Sequence, residues 1–118
     1  MGKTLHLNLK KKWFDMILSG EKEEEYREIS DYWKKRFCKM GFNNHSFCDL
    51  CSIDCHANGF RNEYSTITFS NGYAKNRRQF ELELKRIKID IGQTNWGAES
   101  DVHYFVLELG KMIILKNR

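Results

Sequence analysis

A chain of 118 residues, with 41% hydrophobic and 14% aromatic residues, is long enough to bury a real core without cross-links, so disorder is the wrong class. The formal net charge of +4 is compatible with a nucleic-acid partner but far from a histone-like excess, and charge alone does not choose the partner. Met1–Leu9 carries neither a long apolar core nor a small-residue cleavage site, and no apolar run reaches transmembrane length. The expectation is a cytoplasmic protein without a membrane partner, its four cysteines reduced.

Thr4-Leu5-His6-Leu7-Asn8-Leu9 alternates apolar and polar residues and predicts a half-buried first strand. From Lys10 to Ser19, Trp13/Ile17 and Phe14/Leu18 recur at i,i+4 spacing, giving a helix with one apolar face. Gly20 supplies the stop, because glycine takes the left-handed conformation past a helix end at no steric cost.

The run Gly20-Glu21-Lys22-Glu23-Glu24-Glu25-Tyr26-Arg27 is the most informative stretch. In extended chain, Glu25 and Arg27 share a face, with Lys22 at the turn leading in and Tyr26 directed to the opposite side, toward the core. Two cations and a carboxylate brought together suit an anionic or polar ligand. The bland alternative is a solvated, charge-laced edge.

A second helix is expected from Ser30, a suitable N-cap, burying Ile29, Trp33, Phe37 and Met40. From about 38 to 62 periodicity is lost in a segment rich in Asn, Ser, Gly, Cys and His, which reads as an insertion within one 1–118 domain. Strand character returns at Tyr64–Phe69, followed by the turn Ser70-Asn71-Gly72-Tyr73. Phe80-Glu81-Leu82-Glu83-Leu84 places its apolar residues on even positions, and Ile87-Lys88-Ile89-Asp90-Ile91 on odd ones. A period-two pattern changes phase only through a bulge or corner, which bends sheets. A polar connection holding Trp96 leads to Val102–Leu115, expected as one long strand or two broken near Gly110. Five or six strands with two N-terminal helices predict an α+β fold, a small, mainly antiparallel barrel or half-barrel plugged by helices.

Leu5-His6-Leu7-Asn8-Leu9, the helix through Trp13-Phe14-Asp15-Met16-Ile17-Leu18, and Gly20-x-Lys22-x-x-Glu25-x-Arg27 together resemble the ASCH domain, a relative of the PUA domain. The resemblance covers nearly the whole chain outside 38–62. It implies a PUA-like β-barrel with a cleft beside the signature and a role in binding RNA or a nucleotide-like ligand. Some members are similar to enzymes, an amidohydrolase acting on N4-acylated cytidine and a metal-independent ribonuclease. In these the signature lysine, here Lys22, is thought to be catalytic. The amidohydrolase type has threonine where this chain has Glu25, which takes away a threonine-based nucleophile or proton relay. A shared fold does not transfer an activity.

Lys22 can hold a phosphate or polarise a carbonyl as a cation. To act as a base it must first lose its proton, and a nearby Glu25 favours the ammonium form. Arg27, a planar fork suited to phosphate, is the second ligand candidate. Asn71 and Tyr73 can present an amide and a ring to a base, or serve ordinary turn chemistry. Lys75, Arg77 and Arg78 form a basic rim beside that turn. Trp96 is a candidate stacking platform, with core packing as its alternative.

Every cysteine falls in the insertion or at its edge: Cys38, Cys48, Cys51 and Cys55, with His45 and His56 beside them. Tetrahedral zinc needs four S or N ligands, so these residues are candidates for a structural zinc, His45 or His56 replacing a cysteine in some sets. Reduced loop cysteines without a metal are the alternative, since the second Cys-x-x-Cys pair of a zinc ribbon is missing. No other cofactor is called for.

Overall fold

The computed structural model describes residues 2–37 and 64–116. Five strands and two helices follow the order β1 (Lys3–Asn8), α1 (Lys11–Leu18), β2 (Glu24–Arg27), α2 (Asp31–Phe37), β3 (Tyr64–Asn71), β4 (Arg78–Ile91) and β5 (His103–Lys116). A short 3-10 turn, Thr94–Trp96, precedes β5. The strands lie in one sheet in the order β1-β3-β4-β5-β2.

The α+β class and the two helices agree with the sequence. Among the described residues the sheet is not closed into a barrel; β1 and β2 stand at its two ends. The sheet is also mixed. β1 and β3 run parallel, Leu5 opposite Ile67 and Leu7 opposite Phe69, whereas β3 and β4 are antiparallel. Alternation along a single strand carries no information about its neighbour's direction, so this pairing was not legible.

The described residues divide into two compact units. Residues 2–25, 64–85 and 108–116 form the first, and 26–37 with 86–107 form the second. In the first unit Leu5, Leu7, Phe14, Ile17, Ile67, Phe69, Phe80 and Leu82 are buried. Phe80 is the hub: its ring lies 4.7 Å from Phe14, edge-on, and 5.6 Å from Phe69. In the second unit Trp33 stacks on Phe37 at 5.3 Å, and Phe37 meets Phe105 edge-on at 5.2 Å. Tyr26, Ala98 and Val106 form another buried group.

The phase change seen in the sequence sits inside one unbroken strand. β4 buries Phe80, Leu82 and Leu84, then Ile89, with Lys85 and Arg86 both exposed between them. That switch of face coincides with the passage of the chain from the first unit to the second. β5 likewise continues through Gly110 without a break. Gly110 answers a close approach instead: a Cβ there would lie 2.9 Å from Cδ and 3.0 Å from Cβ of Glu83. α2 starts as expected, with the Ser30 carbonyl accepting from Lys34 N–H at 2.8 Å, and Met40 falls outside the described residues.

No helix among the described residues is long and apolar enough to cross a membrane. Cys38, Cys48, Cys51, Cys55, His45 and His56 lie outside the described residues, so the zinc expectation rests on sequence alone. Among the described residues no group of three or more metal-ligating side chains comes together.

Candidate functional site

The signature begins where α1 ends. Gly20 takes the left-handed conformation at φ 87°, with its N–H donating to Ile17 O at 3.0 Å. The chain then folds back, and Lys22 N–H donates to Met16 O at 3.0 Å. This return holds Lys22 against α1, its ammonium 5.6 Å from the Trp13 ring centroid. From there Lys22 Nζ donates to Glu25 Oε1 at 2.7 Å and to the Glu24 carbonyl at 2.6 Å. Both charged side chains are almost wholly out of water, at 1% and 7% exposure. A buried ion pair is sustained only when its members keep good partners, and this one is completed by a backbone carbonyl and an aromatic face.

Directly beside the pair is a pocket of about 200 Å³. Its walls are Ile17 and Leu18 from the end of α1, Leu82 from β4, and Leu109, Gly110 and Met112 from β5, with Gly20, Lys22 and Glu23 along the signature side. Leu109 N–H donates to Glu23 O at 3.1 Å, tying β5 to the signature at the pocket rim. The result is a recess with apolar side chains from α1, β4 and β5 on one side and the polar signature residues Lys22 and Glu23 on the other.

The other expected residues have different surroundings. Arg27 donates to the Tyr26 carbonyl at 2.8 Å and lies 5.5 Å over Trp33, in the second unit. Asn71 donates its amide to the Leu9 carbonyl at 3.0 Å, the turn-chemistry role. Tyr73 is 88% exposed. Arg78 bonds Asp15 at 2.8 Å and covers the Phe14 ring at 4.6 Å. Trp96 is half-buried against the Tyr26–Ala98–Val106 group, and its indole N–H finds no acceptor among the described residues. Tyr26 is buried, as its strand position required.

Comparison with family models, with curated proteins and with solved structures returned no match. The assignment of the site therefore stands on its own geometry and on the signature residues.

Sequence reasoning missed the apolar walls of the pocket. Leu82, Leu109 and Met112 come from strands far along the chain, and only pairing brings them beside Gly20. It also missed Trp13 as a partner of Lys22 and the burial of Lys34 on α2. A helical residue nine positions before a lysine gives no pairing signal until the chain reverses at Gly20.

Proposed function

We propose that this chain is an ASCH-type domain that binds RNA or a nucleotide-like ligand, taking one base into the pocket beside Lys22 and Glu25. On this reading the sheet is a version of the PUA-like fold. The observation that carries the proposal is that Lys22, held by the buried Glu25 carboxylate at 2.7 Å, lines a recess of about 200 Å³ together with Glu23 and the apolar side chains Ile17, Leu18, Leu82, Leu109 and Met112. Size supports one ring system rather than a larger ligand, since a cavity of about 150 Å³ accommodates benzene. Chemistry supports a base over a bare phosphate. The Lys22 cation is already neutralised by Glu25, which makes it a weak anchor for a phosphate, whereas a base edge offers both donors and acceptors to the Lys22 and Glu23 side of the recess.

The hydrolase reading of the same signature requires Lys22 to shuttle a proton or polarise a substrate. A carboxylate at 2.7 Å holds it as a cation, which fits electrostatic positioning and not a base. Titration of the protein with nucleosides, nucleoside monophosphates and short RNAs tests the binding reading. Met112→Trp, at a partly exposed wall position, is expected to abolish nucleoside binding without loss of folding. Absence of nucleoside and nucleotide binding by the parent, or parent-like binding by Met112→Trp, overturns it. Turnover of acylated cytidines or RNA that disappears in Lys22→Met, under conditions where thermal melts show that variant to be folded, would favour the enzyme instead.

A further inference from the structure

Positive charge in the first unit is segregated, which the modest net charge conceals. Residues 2–14 and 64–80 contain lysines and arginines and no aspartate or glutamate. The fold draws parts of these two segments together. At one end of the β3–β4 turn, Leu9 N–H donates to Ser70 O at 2.8 Å and Asn8 Nδ2 donates to Gly72 O at 2.7 Å. Asn71 Nδ2 donates to Leu9 O at 3.0 Å. At the other end, Arg78 bonds Asp15 at 2.8 Å. The turn that carries Lys75 and Arg77 is therefore tied at both ends to the segment that carries Lys10, Lys11 and Lys12. Asp15 is the one carboxylate these bonds bring in, and it is shared by Lys11 and Arg78.

The lysines also oppose their own helix. The first turn of α1 contains no acidic residue and the last turn no basic one, the reverse of what the helix dipole favours. The Lys11–Asp15 pair at i,i+4 has the less favourable order as well. Charges that work against local stability point to a role beyond folding. Aromatic faces accompany them: Tyr73 is 88% exposed, and Lys12 lies 4.6 Å over the half-buried Trp13.

We propose that this end of the first unit, Lys10, Lys12 and Lys75 with Tyr73 at its tip, is the track for the phosphate backbone of single-stranded nucleic acid. Basic groups interleaved with exposed rings suit a strand whose bases stack while its phosphates are neutralised. The inference rests on the base-pocket reading for what the track delivers. The pocket lies at the opposite end of α1, about 12 Å away for an eight-residue helix; Glu23 lines it, and Glu21 and Glu24 flank its lining residues Lys22 and Glu23 in the chain. Those carboxylates repel phosphates there, so the backbone is held at the lysine end and one base reaches the pocket.

The test is fluorescence anisotropy with a labelled oligouridine of about ten nucleotides, a length within the site size of small single-strand binders, read across about 50 to 200 mM salt. The variant Lys10→Gln/Lys12→Gln/Lys75→Gln leaves the Asp15 partners intact. It is expected to bind at least tenfold more weakly at low salt, with the log–log salt slope reduced by about 2, at about 0.7 per contact. Tyr73→Ala is expected to lose about tenfold with the slope unchanged. Thermal melts check that both variants stay folded. No binding by the parent at low salt, parent-like affinity and slope in the triple variant, or an inert Tyr73→Ala overturns the track. Equal competition by inorganic polyphosphate or an acidic peptide overturns the nucleic-acid assignment. If the triple variant weakens while Met112→Trp still binds nucleosides, the track survives and the pocket reading fails; the converse pattern removes the track alone.

Discussion

The Glu25 carboxylate accepts a 2.7 Å bond from the Lys22 ammonium with both side chains almost fully buried, three residues apart across the turn that begins the signature. Removing one partner leaves the other charge buried and unpaired, which costs about 3–5 kcal/mol. Lys22→Met and Glu25→Leu are each expected to destabilise the protein by that amount. The double variant should recover at least about 2 kcal/mol of the summed loss, since neither charge is then stranded. Urea denaturation of all four proteins closes the cycle. Single variants within about 1 kcal/mol of the parent would show that the pair carries no such constraint.

A second constraint lies at the pocket rim. Gly110 continues β5 because Glu83 crosses where a side chain would stand, Cδ at 2.9 Å and Cβ at 3.0 Å from an added Cβ. Gly110→Ala is expected to destabilise by about 1–3 kcal/mol, the usual range for forced overpacking. Glu83→Ala in the same chain removes Cδ and the carboxylate and should restore part of that loss. Denaturation midpoints measure both. A Gly110→Ala protein as stable as the parent would mean that the strands separate at no cost.

These two sites show how far the sequence could be read. The turn after α1 and the signature were legible because Gly20 punctuates an i,i+4 pattern, a purely local signal. The β4 phase change was legible for the same reason, between Leu84 and Ile87. Gly110 left one long strand or two open, since a glycine inside an alternating run marks either a break or a close approach, and only Glu83 on the neighbouring strand distinguishes them. The parallel β1–β3 pair and the pocket walls depend on contacts between residues about sixty or more positions apart, for which no local periodicity exists.

In the second unit, Tyr26 joins packing and hydrogen bonding at one point. Its hydroxyl accepts from Gln93 N–H at 2.9 Å, and its ring leaves no room at Gly92, where an added Cβ would lie 2.6 Å from Ala98 Cβ and 3.0 Å from Tyr26 Cζ. Tyr26→Phe is expected to cost about 1 kcal/mol, the net worth of one hydrogen bond. Gly92→Ala should cost more, about 2–3 kcal/mol, because the methyl group meets packed atoms on two sides. Thermal unfolding of the two variants ranks them, and the reverse order would sink the packing argument.

Asp15 offers a prediction in pH. Hydrogen bonds from Lys11 and then from Arg78 hold its carboxyl below the ordinary aspartate value. A depressed folded-state pKa means that the associated stability is fully present above the unfolded value, near 3.9, and is lost as pH falls through the folded one. The NMR titration of the Asp15 carboxyl carbon should therefore show a midpoint below the ordinary one. Lys11→Met and Arg78→Met should each move it upward, and the double variant furthest. Because the Lys11 side chain is 77% exposed, added salt should shrink the shift in the parent. A midpoint that neither substitution moves would show that these cations do not hold the carboxylate in solution.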